Sequence, residues 1–132
     1  MANSKKITLE LAETPEELEK GLMFRSSLDD NSGMFFKFSG PRVLKFWGMN
    51  TYIPLDIAFV NAKNRIVKIS EIKPFNVRGV SSEFECVGAI EVNKDFFAKN
   101  KINEGDFIKF EDNIVEADTQ NRKVTISFEK NK

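Results

Sequence analysis

The chain of 132 residues contains no histidine and a single cysteine, Cys86. Histidine is the commonest general base and a common zinc ligand, so its absence excludes most familiar catalytic and zinc-binding constellations. One cysteine cannot form an intramolecular disulfide, and without histidine it lacks the usual base that activates a thiol nucleophile. Cys86 lies in a predicted strand and is expected to pack as a small hydrophobic residue. We expect neither a metal nor a cofactor.

An excess of charge of one sign is also missing, because 20 Lys and Arg balance 20 Asp and Glu and the pI is about 6.4. Without a net positive field, nucleic acids and membrane surfaces are not expected partners. The longest nearly apolar stretch, residues 53–60, contains Pro54 and Asp56 and is far shorter than the ~20 residues that cross a bilayer. We therefore predict no transmembrane helix.

The first six residues are polar and lack the apolar core of about 7–15 residues that a secretory leader needs. The sequence as it stands therefore indicates a cytoplasmic protein. A secreted or periplasmic location would require that a leader had been removed. The length predicts one domain over residues 1–132, and the 41% of hydrophobic residues suffices to fill its core.

Alternating and β-branched segments predict strands along most of the chain. The predicted strands are residues 7–11, 34–38, 43–47, 56–60, 66–72, 84–92, 107–110, 114–117 and 124–128. A turn at Gly40-Pro41 is predicted to separate the second strand from the third. Residues 61–65 are predicted to join the fourth and fifth strands in a hairpin.

Two short helices are predicted between these strands. Thr14 has the features of an N-cap, Pro15 suits the first helical position, and Glu17 can complete a capping box, so a helix should run to about residue 24 or 25. Asp95 is the predicted N-cap of a second helix that ends near Asn100. Many short strands with two short helices indicate a mainly β domain, either a β-sandwich or a small barrel.

The most distinctive segment, residues 46–59, reads FWGMNT and then YIPLDIAF, and it follows GLMFR at 21–25 and GMFF at 33–36. It resembles the uncharacterised bacterial and archaeal family called domain of unknown function 192. That family has Gly-Leu-Met-x-Arg, Gly-Met-Leu-Phe, Phe-Trp-Met-x-Asn-Thr-x-Ile-Pro-Leu-Asp, and a Leu-Glu-Val strand before Gly-Asp. The last two motifs correspond to residues 90–92 and 105–106. The resemblance thus spans about residues 7–110, with the strands of 114–128 beyond it.

The resemblance implies a mainly β fold, a sandwich or jelly-roll-like barrel with short helices at its edge, and no established activity. The sequence departs from the family pattern at Gly48 and Met49, where methionine and then often lysine are usual. A role that rests on that lysine does not carry over. At Lys94 and Asp95 the family commonly has a glycine, so the backbone of this turn is expected to differ.

Polar residues within the distinctive segment are the first candidates for a site. Asn50, Thr51 and Asp56 must be hydrogen-bonded if they are buried, and a structural role would tie the loop to backbone groups. The functional alternative places them with Trp47 around the mouth of the β fold. Arg25 would then supply a positively charged fork for a carboxylate, phosphate or hydroxyl group.

The alternative structural role of Arg25 is an ion pair with Asp56 or Glu91, in which case Arg25→Ala should destabilise the fold strongly. Glu91 also belongs to the candidate ligand-binding residues. Asp56 and Glu91 are a possible carboxylate pair of a hydrolase. One tryptophan and one tyrosine offer little surface for stacking on a sugar.

The leading hypothesis is a non-enzymatic domain that binds a small molecule or a partner through residues 47–56. The alternative is a protein-interaction or accessory subunit that uses a sheet face or strand edge and has no small-ligand pocket. A carboxylate-based hydrolase comes third. A concave, polar-lined pocket would favour the first hypothesis, and a flat apolar patch would favour the second.

Overall fold

The computed structural model of the protein describes residues 5–116 and 122–131. These residues form seven strands and two short helices. In chain order they are β1 (Lys5–Ala12), α1 (Pro15–Lys20), β2 (Gly33–Phe46), β3 (Leu55–Val60), β4 (Ile66–Ile72), β5 (Val80–Asn93), α2 (Phe96–Lys99), β6 (Phe107–Glu116) and β7 (Arg122–Glu129). The predicted mainly β class with two short helices is confirmed. Ala117, the last residue of one predicted strand, lies outside the described residues.

The seven strands form one sheet in the order β4-β3-β5-β2-β1-β7-β6. Only β1 and β2 are parallel among the neighbouring pairs of this sheet over the described residues. The sheet curls, and its two edge strands approach each other where Arg65 bridges Phe107 and the Ile108 N–H donates to the Asn64 carbonyl at 2.8 Å. Of the two predicted architectures, the barrel is therefore the one that matches a single curled sheet.

The two faces of the sheet carry separate apolar clusters, because side chains alternate along each strand. One cluster fills the interior and includes Leu9, Phe35, Ile90, Val92 and Ile126. The other lies on the outer face and includes Leu22, Phe36, Ile53, Leu55 and Phe59. Leu22 and Ile53 come from the connections after α1 and before β3, so these connections cover the outer face of the sheet.

Helix α1 begins as the sequence predicts. The Thr14 hydroxyl accepts from the Glu17 N–H at 3.2 Å, and the Glu17 carboxylate accepts from the Thr14 N–H at 3.0 Å. The helix ends at Lys20, earlier than predicted, because Gly21 adopts a positive φ of 47°. This early turn directs the following residues onto the outer face of the sheet.

The predicted turn at Gly40-Pro41 is wrong. Both residues lie inside the continuous strand β2, where the pairing with β5 shifts register between Lys37 and Arg42. A bulge tolerates proline because it interrupts the ladder hydrogen bonds that proline cannot donate. The separate strands predicted for residues 107–110 and 114–117 are likewise one strand, β6, with a register shift between Phe110 and Ile114.

The predicted hairpin is confirmed, because β3 and β4 are antiparallel and residues 61–65 connect them. Asp95 stands at the N-cap position of α2, but its side chain makes no capping hydrogen bond and its φ is 72°. Neither helix in the described part of the chain has the length and hydropathy needed to cross a bilayer.

Candidate functional site

A pocket of about 300 Å³ opens on the outer face of the sheet, between the end of α1 and the second half of β2. Its walls include four aromatic rings, those of Phe36, Phe38, Phe46 and Trp47. Glu91 also lines this cavity, which we call the Glu91 pocket. Aromatic walls around a few buried polar groups are typical of a small-molecule site.

The position of Glu91 follows from the alternation along β5. Ile90 and Val92 face the interior core, so the side chain between them must leave the sheet on the outer face. There it is 5% exposed. Strand β5 is paired on both sides, with Met34 of β2 and Ile57 of β3 opposite Glu91. The carboxyl group is therefore held on a rigid central strand.

The Glu91 carboxyl group makes no hydrogen bond or ion pair with the other described residues, and desolvation alone shifts its pKa. Burial away from water raises the pKa of its carboxyl group to about 8. The group is thus mostly protonated at neutral pH, because desolvation disfavours the charged form. A buried carboxyl group without a partner is costly, and a ligand that supplies one would relieve this cost.

Thr51 and Trp47 belong to the predicted segment and line the same pocket. Thr51 is 5% exposed, and its hydroxyl donates a long hydrogen bond of 3.4 Å to the Met49 carbonyl. Trp47 is half exposed and stands at the rim. The structure therefore brings these two residues together with Glu91.

The other predicted site residue of the loop, Asn50, is exposed and adopts a positive φ of 56°. Its carbonyl accepts a hydrogen bond from the Phe24 N–H at 2.8 Å. Asn50 does not line the Glu91 pocket. Its observed contact ties the segment after α1 to the loop before β3.

Arg25 pairs with neither Asp56 nor Glu91, so that prediction is wrong. Its guanidinium donates two hydrogen bonds to the Glu10 carboxylate, at 2.5 and 2.7 Å. This geometry is the bidentate pairing that arginine and a carboxylate favour. Arg25 lines a different cavity of about 160 Å³ beside β1, together with Glu10. It does not reach the Glu91 pocket.

Asp56 and Glu91 do not form the carboxylate pair that a hydrolase would need. The register pairs Glu91 with Ile57, so Asp56 points to the opposite face of the sheet. Asp56 accepts a hydrogen bond from the Asp95 N–H at 3.0 Å. Desolvation raises the pKa of the Asp56 carboxyl, and the hydrogen bond from Asp95 opposes that shift.

Sequence reasoning missed most of the aromatic walls of the pocket, because Trp47 was the one aromatic residue that it named as a candidate. It also missed the charged rim, where Glu19, Lys20 and Lys45 are exposed. The signal for the pocket was Glu91 itself, a charged residue inside an apolar strand. Within the described residues, no cluster of three or more His, Cys, Asp or Glu side chains is arranged to hold a metal ion.

Fold and site together define a mainly β domain with a buried carboxyl group in an aromatic pocket. Residues 1–110 match the DUF192 family model, described as Uncharacterized ACR. The chain therefore belongs to the DUF192 family, as the motifs of residues 21–59 predict. None of the curated proteins matches the chain.

Two solved structures are similar to this chain. A protein of unknown function from Novosphingobium aromaticivorans DSM 12444 is 37% identical, with a TM-score of 0.73 over 75% of this chain and 71% of that chain. A protein from Sinorhizobium meliloti 1021, described as a candidate transcription regulator, is 25% identical, with a TM-score of 0.74 over 81% of this chain and 95% of that chain. The fold described above is thus shared with experimentally determined relatives.

Proposed function

We propose that this protein binds, without chemical conversion, a small molecule that carries a protonated amine. The binding site is the Glu91 pocket. The observation that carries the proposal is the Glu91 carboxyl group, which is 5% exposed, lines the pocket and has no polar partner among the described residues. An ammonium group would supply both the charge and the hydrogen-bond donors that this carboxyl group lacks.

The walls of the pocket favour the same class of ligand. The faces of aromatic rings attract cations, and tryptophan does so most strongly. Phe36, Phe46 and Trp47 all line the cavity that contains Glu91. The volume of about 300 Å³ lies at the lower end of the range for small-molecule sites. The ligand should therefore be small, with an apolar body next to its amine.

The rim suggests what the outer end of the ligand carries. Lys20 and Lys45 are exposed at the mouth of the pocket, and Glu19 lies beside them. Two cations and one carboxylate leave a local positive excess. A ligand with its amine at Glu91 and a carboxylate or phosphate at the rim would match both ends of the site.

This proposal narrows the leading hypothesis from the sequence. Trp47, Thr51 and Glu91 remain ligand-binding residues in it, whereas Arg25, Asn50 and Asp56 are assigned to holding the fold. A hydrolase based on Asp56 and Glu91 finds no support, because the two side chains lie on opposite faces. An accessory subunit without a pocket is the less favoured alternative, since a concave, polar-lined cavity is present.

The description of the Sinorhizobium meliloti protein suggests a regulatory role for relatives of this chain. The helices of this chain span six and four residues within the described part, and the net charge of the whole chain is zero. These features do not favour direct DNA reading, which commonly uses a longer helix and a basic surface. Sensing a ligand is the part of such a role that the Glu91 pocket could perform.

The test is a calorimetric titration with a matched set of small ligands. The set contains phenethylamine, its neutral isostere 2-phenylethanol, and phenylalanine as a zwitterion that carries both charges. We expect the amines to bind and the alcohol to bind at least about tenfold more weakly, since a desolvated ion pair is lost.

Two variants complete this test. Glu91→Gln keeps the shape of the side chain but removes the charge, and it should abolish the preference for amines. Asp56→Asn changes a carboxylate on the opposite face of the sheet and should bind like the parent protein. Equal binding of the amine and the alcohol, or unchanged amine binding by Glu91→Gln, would refute the proposal.

A further inference from the structure

Three connecting segments present a second feature, a group of large apolar side chains in solvent. We call Phe24, Trp47, Tyr52, Phe75 and Val77 the aromatic platform. Their exposed fractions are 58%, 50%, 46%, 63% and 64%. The rings of Phe24 and Tyr52 are 6.3 Å apart, and those of Tyr52 and Phe75 are 5.6 Å apart. These contacts join Phe24, Tyr52 and Phe75 into one continuous surface.

Backbone hydrogen bonds fix the three segments against one another. The Phe24 N–H donates to the Asn50 carbonyl at 2.8 Å, and the Phe75 N–H donates to the Gly48 carbonyl at 2.9 Å. The Gly48 N–H donates in turn to the Asn76 carbonyl at 2.6 Å. The exposed rings therefore project from segments that backbone hydrogen bonds hold together.

Two of the rings stand on strained backbone. Phe24 and Phe75 have φ angles of 66° and 63°, in the left-handed region that bulky residues rarely adopt. Asparagine or glycine would fit such positions better. Neither burial nor backbone preference explains a phenylalanine at these two places. Strain of this kind is concentrated at functional positions.

The charged residues within the three segments of the platform have one sign. Residues 20–25, 47–53 and 73–79 include Lys20, Arg25, Lys73 and Arg78 but no aspartate or glutamate. Arg25 is neutralised by Glu10, and the exposed Glu19 precedes Lys20, so Lys73 and Arg78 supply the local positive excess. Membrane partners were not expected from the sequence because the net charge of the whole chain is zero. A net charge of zero does not exclude a local excess of positive charge.

We propose that the aromatic platform docks on an anionic lipid surface as a peripheral contact. The rings would enter the boundary between headgroups and acyl chains, and the neighbouring lysines and arginine would contact the phosphates. Aromatic rings flanked by lysine and arginine are typical of membrane interfaces, whereas lysine is depleted in protein–protein interfaces. Phe24, Tyr52 and Phe75 do not line the Glu91 pocket, so Trp47 is the residue that this surface shares with the rim of the proposed ligand site.

Trp47 is the only tryptophan of the chain and a member of the platform, so its fluorescence reports the contact directly. The full chain is mixed with vesicles of phosphatidylcholine alone or of phosphatidylcholine and phosphatidylglycerol in equal amounts. We expect a blue shift of the emission and co-sedimentation with the anionic vesicles. Binding to the neutral vesicles should be at least about tenfold weaker than binding to the anionic ones. Added salt should weaken binding to the anionic vesicles.

A matched pair of variants separates docking from folding. Phe75→Asn removes an exposed ring at a position whose backbone suits asparagine, so the variant should melt at the same temperature or higher while its vesicle binding falls about tenfold. Phe84→Asn removes a ring that is 56% exposed on β5, outside the platform, and should bind like the parent chain. Absence of the blue shift would overturn the proposal, as would equal binding of both variants. Binding to soluble polyglutamate without binding to vesicles would overturn it as well.

Discussion

Asp56 and Glu91 lie on the neighbouring strands β3 and β5, one residue out of register, and their side chains leave the sheet on opposite faces. Asp56 accepts a hydrogen bond from the backbone of Asp95, and Glu91 lines the aromatic pocket. Two carboxyl groups that are close in the sheet therefore have separate environments.

The effects of changing these two residues should be independent. Asp56→Ala leaves the Asp95 N–H without its acceptor and should lower the free energy of unfolding by about 1–2 kcal/mol. Amine binding should not change. In urea unfolding, the double variant Asp56→Ala/Glu91→Gln should show the sum of the single effects within about 0.5 kcal/mol. A coupling well above that value would indicate that the two sites communicate through the sheet.

Glu91 should make the protein less stable as the pH rises. The pKa of its carboxyl is about 8 in the folded protein, against 4.5 for an unperturbed glutamate. Between these values the folded state keeps a proton that the unfolded state releases, so the free energy of unfolding falls with increasing pH. Below about pH 4.5 the carboxyl of Glu91 is protonated in both the folded and the unfolded state, so it no longer lowers the free energy of unfolding.

The variant Glu91→Gln does not titrate and should escape this loss. We expect it to match the parent protein near pH 4 and to exceed its stability by roughly 2–4 kcal/mol at pH 7. Urea unfolding of both proteins from pH 4 to pH 9 measures the difference, and other titrating groups largely cancel in it. A difference that is constant with pH would contradict the assignment of a raised pKa to Glu91.

Binding of an amine in the Glu91 pocket should release a proton. With a pKa of about 8, the carboxyl is mostly protonated at pH 7 before a ligand binds. It must ionise to pair with an ammonium group. Calorimetry in two buffers of different ionisation enthalpy should show net proton release at pH 7 and markedly less at pH 8.5, where more of the carboxyl is already ionised and phenethylamine is still mostly protonated. Binding without proton release at pH 7 would show that the ligand pairs with a neutral carboxyl group.

Arg25→Ala should destabilise the protein only moderately. Both side chains of the Arg25–Glu10 pair are about one-third exposed, 35% and 34%, so solvent screens their attraction. We expect a loss of about 1 kcal/mol instead of the strong effect predicted from a buried pair. Glu10→Gln should cost a similar amount in the same urea unfolding experiment. A loss above about 3 kcal/mol for Arg25→Ala would restore the original prediction.

Local features of the fold were predictable from the sequence because their causes are local. The capping box of Thr14 and Glu17 and the β3–β4 hairpin depend on residues only a few positions apart. The continuity of β2 was not predictable, because Gly40 and Pro41 are typical turn residues. In the structure they lie at a bulge in the pairing of β2 with β5.

The site was predictable only in part, for a similar reason. Trp47, Thr51 and Glu91 could be named, but their common pocket depends on strand register and on the segment that follows α1. The partner of Arg25 is Glu10, which is 15 residues away and is one of 20 acidic residues. Composition alone cannot choose among so many carboxylates.

Gly48 explains one departure from the family pattern, which usually has methionine at this position. A Cβ on residue 48 would lie 2.3 Å from the Lys73 carbonyl oxygen and 3.0 Å from the Asn76 nitrogen. Both of these are backbone atoms, so a flexible side chain cannot move aside to make room. The connection between β4 and β5 can therefore close over the loop that carries Trp47 and Thr51 only because residue 48 has no side chain.

Gly48→Ala should consequently destabilise the protein by about 1–3 kcal/mol, the usual cost of forcing extra atoms into a packed region. It should also shift the emission of the neighbouring Trp47, since the connection must move away from the loop. Gly40→Ala is the matched control, because a Cβ at residue 40 would meet nothing within 4 Å. That variant should unfold within about 0.5 kcal/mol of the parent protein. Equal stabilities of the two variants would mean that the close approach at Gly48 is not required for the fold.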